Sequence, residues 1–116
     1  MTFDHGISRR QLDCLRGILS PFAAGIERVV VFGSRASGKY RPDSDIDLAL
    51  YGSVEEKTVD RLHTLFMDSS LPLKVNILAY ALIAHPPLLR HIDAEGKTLF
   101  AREELLERFA EGKKLL

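Results

Sequence analysis

The sequence predicts a single α/β domain with few strands, and three observations support this prediction. Short apolar segments rich in valine and isoleucine alternate with segments whose apolar residues recur every three or four positions. Proline and glycine separate most of these segments, so the predicted order of elements is helix, strand, loop, strand, helix, strand, helix. The chain has 116 residues, which suits one domain, and we expect that domain to span residues 1–116.

The first helix and the first strand are indicated by local residue patterns. Ser8, with Gln11 three positions later, forms a capping box, and leucines at helical spacing follow it until a proline. A helix is therefore predicted over residues 8–20. Residues 28–32 contain three consecutive valines and are followed by a glycine, which is typical of a strand buried on both faces.

The next predicted strand carries two acids. Over residues 45–51, aspartate at first alternates with isoleucine and leucine. Because successive side chains of a strand point to opposite faces, Asp45 and Asp47 should share one face while the apolar residues occupy the other. Two like charges on one face repel each other unless a cation lies between them, so this pair indicates a metal site.

The second half of the chain is predicted to alternate between helices and strands. Ser53 and Glu56 form a second capping box, which should open a helix. The elements predicted after it are a strand over residues 74–79, a helix over 87–94, an edge strand over 97–100 and a final amphipathic helix over 102–116. The apolar residues that continue from the strand to position 83 fit a strand and a helix equally well.

Composition excludes several classes of protein. Sixteen lysines and arginines balance sixteen aspartates and glutamates, so the net charge provides no general attraction to nucleic acid. No apolar run approaches the about 20 residues that a membrane-spanning helix needs, and an acid stands where a secretory signal would be apolar. We therefore expect a cytoplasmic protein without membrane contact. The single cysteine excludes an internal disulfide.

The glycine-containing segment after the first strand must be distinguished from a P-loop. Gly33, Gly38 and Lys39 have the spacing of that motif. However, a P-loop requires serine or threonine after the lysine to bind Mg²⁺, and Tyr40 stands there. Pro42 also prevents the long helix that should follow. The P-loop interpretation is therefore rejected.

The same segment makes chemical sense as one site together with the two acids. Gly33 and Ser34 can meet nucleotide phosphates at the end of the first strand, while Asp45 and Asp47 hold Mg²⁺. Residues two apart on a strand lie about 7 Å apart, so their carboxylates can converge on metal ions between them. The loop also contains three basic residues, Arg35, Lys39 and Arg41. They either form a solvated surface or screen triphosphate charge, and we include the first two among the phosphate-binding candidates.

These residues resemble a known family. The stretch GSRASG followed by SDIDL is similar to the Gly-Ser…Asp-x-Asp signature of the polymerase-β-like nucleotidyltransferase superfamily, and the short chain resembles its minimal nucleotidyltransferases, or MNT antitoxin-type proteins. The resemblance implies a small mixed β-sheet backed by helices, with ATP as donor and Mg²⁺ as cofactor. It implies that Gly33 and Ser34 bind the β- and γ-phosphates and that Asp45 and Asp47 hold the metal.

One position departs from the family pattern. The resemblance implies a third carboxylate on the following strand, where it helps to bind metal and to activate the attacking hydroxyl. The matching residue in this chain is Asn76. Its amide oxygen can contact a metal, but it cannot accept a proton at any ordinary pH.

Two functional hypotheses follow. In the first, the protein is an Mg²⁺-dependent enzyme that transfers AMP from ATP to a protein hydroxyl, and the resemblance implies a helical HEPN-domain protein as its partner. In the second, Asn76 leaves the chain weakly active or inactive, and it acts as a nucleotide-binding module that neutralises a helical partner by direct contact. The sequence does not identify the acceptor, and it is compatible with a monomer and with a homo-oligomer.

Overall fold

A four-stranded β-sheet with helices on both faces is formed by residues 3–106, which the computed structural model describes. The helices are α1 (Arg9–Leu19), α2 (Ser34–Ser37), α3 (Glu56–Met67) and α4 (Pro86–Glu95). The strands are β1 (Ile26–Phe32), β2 (Ile46–Gly52), β3 (Val75–Ala79) and β4 (Lys97–Ala101). Residues 102–106 are helical, as predicted, and the rest of the predicted final helix lies outside the described residues.

The sheet is mixed, as predicted. Its strand order is β3-β2-β1-β4. β1 pairs antiparallel with both β2 and β4, whereas β2 and β3 run parallel. The chain between the parallel strands β2 and β3 passes through α3, because parallel neighbours need a long crossover connection. The predicted edge strand over residues 97–100 is confirmed as β4, which occupies one edge.

The two faces of the sheet are covered unequally. One face packs against α1 and α3 and forms the larger apolar core, whose fully buried residues include Leu15, Leu19, Val29, Val31, Leu48, Leu62 and Ile77. The opposite face, which we call the α4 face, holds a smaller cluster of Val30, Phe32, Ala49 and Ile92. Because the alternation of β2 sends Leu48 to the larger core, Asp47 lies on the α4 face.

The first capping box is confirmed, and the second is wrong. Ser8 Oγ accepts a hydrogen bond from Gln11 N at 3.1 Å, and Gln11 Oε1 accepts one from Ser8 N at 3.0 Å. By contrast, α3 begins at Glu56, and no side chain caps its N-terminus. Val54 is buried in the larger core, so the chain stays non-helical for two residues beyond Ser53.

The apolar residues that follow β3, up to position 83, form neither a continued strand nor an α-helix. The strand ends at Ala79, and a short 3₁₀ helix follows over Tyr80–Leu82. A second 3₁₀ helix, over Ser20–Gly25, joins α1 to β1 and was not predicted. Along residues 3–106, no helix combines the length and the apolar character needed to cross a membrane.

Candidate active site

A sharp turn at Gly33 brings the end of β1 against the acid pair. Gly33 has φ 72° and ψ −150°, a backbone conformation that is open almost only to glycine. A Cβ placed on this residue would lie 2.5 Å from Asp47 Oδ2. Only a glycine therefore permits this approach of the loop to the carboxylate. Ser34 follows as the first residue of α2, with its side chain partly exposed.

The two acids and Asn76 converge at the start of β2 and β3. Asp47 pairs with Asn76 across the parallel strands and with Phe32 across the antiparallel ones. Asn76 Nδ2 donates to Asp47 Oδ1 at 2.9 Å and to Asp45 Oδ2 at 3.3 Å. Asp45 is exposed just before β2, and Asp47 is half-buried. The structure thus brings together the three residues that were predicted as the catalytic group.

Arg35 has a different role from the one predicted. Its side chain is only 1% exposed, although it lies in the short helix α2 at the start of a polar loop. The guanidinium donates to the carbonyl oxygens of His5 and Ser44, each at 3.0 Å, and to those of Arg41 and Pro42 at 3.4 Å. Because these donors are directed at backbone carbonyls, we correct its assignment from phosphate binding to support of the loop.

The N-terminal segment also supports this loop, which sequence reasoning missed. Tyr40 Oη donates to Asp4 Oδ1 at 2.6 Å, and this hydrogen bond raises the pKa of Tyr40. A Cβ on Gly6 would collide with the ring of Tyr40. His5 accepts from Ile7 N through Nδ1 at 2.9 Å, and its pKa is lowered chiefly by burial. The hydrogen bonds from Arg35 to His5 and from Tyr40 to Asp4 join residues 30 and 36 positions apart, so no local pattern encodes them.

Lys39 lies at the exposed end of the loop. Its backbone N–H donates to Ser34 O at 3.1 Å and so closes the turn that follows α2. Gly38, which precedes it, ends the helix in the left-handed conformation with φ 84°. The predicted contact of the Lys39 ammonium with phosphate stays a prediction.

A cavity of about 640 Å³ lies beside Asn76, between the end of α3 and the start of β3. Its lining is largely apolar and includes Phe66, Leu71 and Met67, the last of which is 85% exposed. His63 also borders it, and His63 Nε2 accepts from Ile77 N at 3.2 Å. The cavity therefore meets the candidate site only at Asn76, since neither Asp45 nor Asp47 lines it.

The donor set fits Mg²⁺ with few protein ligands. Two carboxylates and an amide are sources of the oxygen ligands that Mg²⁺ prefers, and this ion commonly takes its remaining ligands from water and substrate phosphates. Within residues 3–106, no group of three or more histidines, cysteines and acids could hold a metal. A metal at this site would therefore depend on Asp45, Asp47, the Asn76 oxygen and the nucleotide itself.

Comparison with known proteins agrees with this geometry. The family model described as "Polymerase beta, Nucleotidyltransferase" matches residues 18–105. No curated protein sequence gives a significant match.

Solved structures share the fold at low sequence identity. A toxin–antitoxin complex with AMP-PNP is 19% identical with a TM-score of 0.63, covering 90% of this chain and 88% of that chain. A complex of MNT antitoxin with tri-AMPylated HEPN toxin from Shewanella oneidensis is 16% identical with a TM-score of 0.59, covering 93% and 89%. A putative nucleotidyltransferase from Sulfolobus solfataricus is 22% identical with a TM-score of 0.51, covering 82% and 84%.

The family match spans both halves of the candidate site, from the Gly33-Ser34 turn and the two acids to β3 with Asn76. The solved structures independently show the same arrangement of sheet and helices. The chain belongs to the polymerase beta nucleotidyltransferase family.

Proposed function

We propose that this chain transfers AMP from ATP to a hydroxyl group of a protein partner, in an Mg²⁺-dependent reaction, and acts as the antitoxin of a HEPN-type protein in the cytoplasm. The observation that carries the proposal is the convergence of Asp45, Asp47 and Asn76 beside the Gly33 turn. This group has no evident structural purpose, because one neutral amide supplies no positive charge to balance two carboxylates.

In the proposed transfer, the acceptor oxygen forms a bond to the α-phosphorus of ATP, the bond to the bridging oxygen breaks and pyrophosphate leaves. The Gly33-Ser34 turn receives the β- and γ-phosphates, and α2 is too short to do so by its dipole alone. Asp45 and Asp47 would hold Mg²⁺. The chemistry that the bound ion supplies is neutralisation of phosphate charge during the displacement.

The fate of the hydroxyl proton distinguishes this chain from a site with three acids. Asn76 lies where a general base would be expected, but an amide takes no proton. The proton must therefore pass to another acceptor, of which solvent water is the simplest. Because general-base assistance is typically worth about 10² to 10⁴ in rate, we expect a slow enzyme.

Solved structures of similar fold support the choice of partner. They include a complex of MNT antitoxin with tri-AMPylated HEPN toxin and a toxin-antitoxin complex with AMP-PNP. A docked partner that presents its own hydroxyl is the simplest acceptor.

The second candidate function is a binding module that neutralises its partner by contact, and Asn76 is the observation that favours it. The two functions are separated by incubating the purified protein with its native partner, MgCl₂ and ATP labelled at the α-phosphate. Label on the partner, lost in Asp47→Ala, supports the enzyme. A stable complex that acquires no label supports the binding module.

Asn76→Asp sharpens this experiment. The acid is nearly isosteric with asparagine and can accept the hydroxyl proton, so the variant should label the partner at least about tenfold faster than the natural chain. An unchanged rate, with unchanged stability in the presence and absence of Mg²⁺, would place Asn76 outside the reacting centre.

A further inference from the structure

The side-chain amide of Asn76 has an orientation that chemistry dictates. Its Nδ2 group faces two carboxylate oxygens, Asp47 Oδ1 at 2.9 Å and Asp45 Oδ2 at 3.3 Å. Ionised carboxylates only accept hydrogen bonds, and an amide nitrogen carries two donors. The opposite orientation would point the amide oxygen at both carboxylates. In the metal-free protein, the nitrogen must therefore face the acids.

This amide offsets the repulsion between the acids. Asp45 and Asp47 carry like charges on one face, and the positive end of the amide dipole lies between them. Hydrogen bonds to an ionised acceptor are stronger than those between neutral groups. The Nδ2 group thus stands where a cation would otherwise be required, and a third carboxylate at this position could not do the same.

We infer that Asn76 is a two-position switch, which holds Asp45 and Asp47 together through Nδ2 in the metal-free protein and turns its Oδ1 toward the acids when Mg²⁺ binds. The second half of this inference rests on the proposed function, because it requires the metal at the acid pair. A cation accepts oxygen ligands and not the amide nitrogen, so the two hydrogen bonds must break before Asn76 can contribute a ligand.

The switch has a consequence for metal binding. In a site with three acids, metal-free repulsion favours uptake of the cation. Here the amide already offsets that repulsion in the metal-free protein, and breaking its hydrogen bonds reduces the net free energy of Mg²⁺ binding. We therefore expect Asn76→Asp to bind Mg²⁺ more tightly by at least about tenfold, a difference that one hydrogen bond to a charged group can account for.

The chain offers an unusually direct test, because Asn76 is its only asparagine and Gln11 its only glutamine. A ¹⁵N spectrum of the side-chain NH₂ groups should therefore contain two pairs of signals. Gln11 serves as an internal control, since its oxygen is held by Ser8 N at the start of α1. The quantity to measure is the rate at which the NH₂ protons exchange with solvent.

Without metal, the Asn76 protons should exchange about tenfold more slowly than in Asp47→Ala, which removes the nearer acceptor. The Gln11 protons should exchange at the same rate in both proteins. Because Asp45 remains as a second acceptor, some protection should survive in Asp47→Ala, but equal exchange rates of the Asn76 protons in the two proteins would overturn the metal-free half of the inference.

The second arm adds MgATP, with ATP plus EDTA as its metal-free control. Protection of Asn76 should fall at least to the level of Asp47→Ala with MgATP, because the turn breaks both hydrogen bonds, and it should persist with ATP and EDTA. If calorimetry shows MgATP bound while Asn76 keeps its protection, the turning step is wrong and the metal site stands. If MgATP binds no better than ATP with EDTA, the proposed metal site itself is wrong, and the turning step falls with it.

Discussion

The α4 face of the sheet carries two polar clusters at opposite ends of the same strands, and they differ in charge balance. The carboxylate cluster, Asp45, Asp47 and Asn76, lies at the start of β2 and β3. It contains two negative charges held by one neutral amide. The other end of these strands carries a cluster built around two stacked tyrosines, which we call the tyrosine cluster.

In the tyrosine cluster, each charge already has a partner. Tyr51 and Tyr80 stack with their ring centroids 4.1 Å apart. Arg28 lies over Tyr51 at 4.1 Å from the ring centroid, and Tyr80 Oη donates to Asp93 Oδ1 at 2.7 Å. One cation and one anion thus enclose two aromatic rings, an arrangement that needs no ligand.

The comparison teaches that excess charge, rather than polarity, distinguishes the proposed active site from the other end of the face. Both clusters arise from the same alternation along β2, which places Asp47 and Tyr51 on one side. The positive and negative charges of the tyrosine cluster balance, whereas the carboxylate cluster retains an excess of negative charge that a cation would neutralise. Substitutions in the tyrosine cluster should change stability, and substitutions in the carboxylate cluster should change activity.

The largest expected effect is loss of activity in Asp47→Ala. Removing one of the two carboxylates should lower Mg²⁺-dependent transfer by at least about 10²-fold, because charge neutralisation by the metal is worth several kcal/mol. The free energy of unfolding of the metal-free protein should change by no more than about 1 kcal/mol, since the lost hydrogen bond is offset by relief of repulsion. Transfer is measured with α-labelled ATP, and unfolding with denaturant.

The matched control is Tyr80→Phe, which removes a polar group from the tyrosine cluster and should leave transfer unchanged. Lys39→Ala should also do much less harm than Asp47→Ala, which is the opposite of what a P-loop would show. Equal losses of transfer in Tyr80→Phe and Asp47→Ala would contradict the division between the two clusters.

The next effect concerns the support of the Gly33 turn. Arg35→Ala leaves several partly buried carbonyl oxygens without their donor and empties the space of a fully buried side chain, so it should lower the free energy of unfolding by about 3 kcal/mol. Arg35→Lys should rescue little, because an ammonium lacks the planar array of donors. The exposed Arg41 in the same loop is the control, and Arg41→Ala should cost less than about 0.5 kcal/mol. A fully stable Arg35→Lys protein would show that the guanidinium geometry is dispensable.

A smaller loss of stability is expected from a substitution at Gly33, where the turn after β1 approaches Asp47. Gly33→Ala combines a forbidden backbone conformation with a Cβ 2.5 Å from Asp47 Oδ2, so it should cost about 2 kcal/mol of stability. It should also weaken MgATP binding by about tenfold, because the carboxylate must move.

Gly38→Ala is the control for backbone strain at that turn. Gly38 also has a positive φ, but no atom lies within 4 Å of its Cβ position. A loss of about 1 kcal/mol with unchanged affinity is expected there. Calorimetry that showed equal affinities in both glycine variants would remove the contact with Asp47 from the site.

The fold was predictable because its signals are local. The capping box at Ser8 and the alternation that pairs Asp45 with Asp47 each depend on residues within four positions. The position of Asn76 required more than a pattern, and it came from the family resemblance. Its pairing with Asp47 in β2 and β3 agrees with that expectation.

Arg35 shows why the rest could not be predicted. An arginine in a polar loop is usually exposed, and nothing in the neighbouring sequence indicates burial. Its acceptors are backbone carbonyls, which every residue possesses, and they come from positions 6 to 30 residues away. The second capping box failed for a related reason, since burial of Val54 in the core overrides the local capping pattern at Ser53.

The smallest expected effect is a change in the pKa of Tyr80 in the tyrosine cluster. The hydrogen bond to Asp93 is the main reason that the pKa of Tyr80 is raised from 10.0 to about 12. Because the folded-state pKa lies above the ordinary value, the contribution of Tyr80 to stability is complete below pH 10 and is lost as the pH rises toward 12.

An absorbance titration can resolve this, since the chain has three tyrosines and no tryptophan. Tyr80→Phe should remove the step near pH 12, and Asp93→Asn should move it toward 10 by removing both the charge and the strong acceptor. Neither variant should alter MgATP binding at neutral pH, because Tyr80 and Asp93 belong to the tyrosine cluster, at the other end of the strands from the acids. A shift in MgATP affinity in Asp93→Asn would show that the two ends of the α4 face are coupled, and the separation by charge balance would then be wrong.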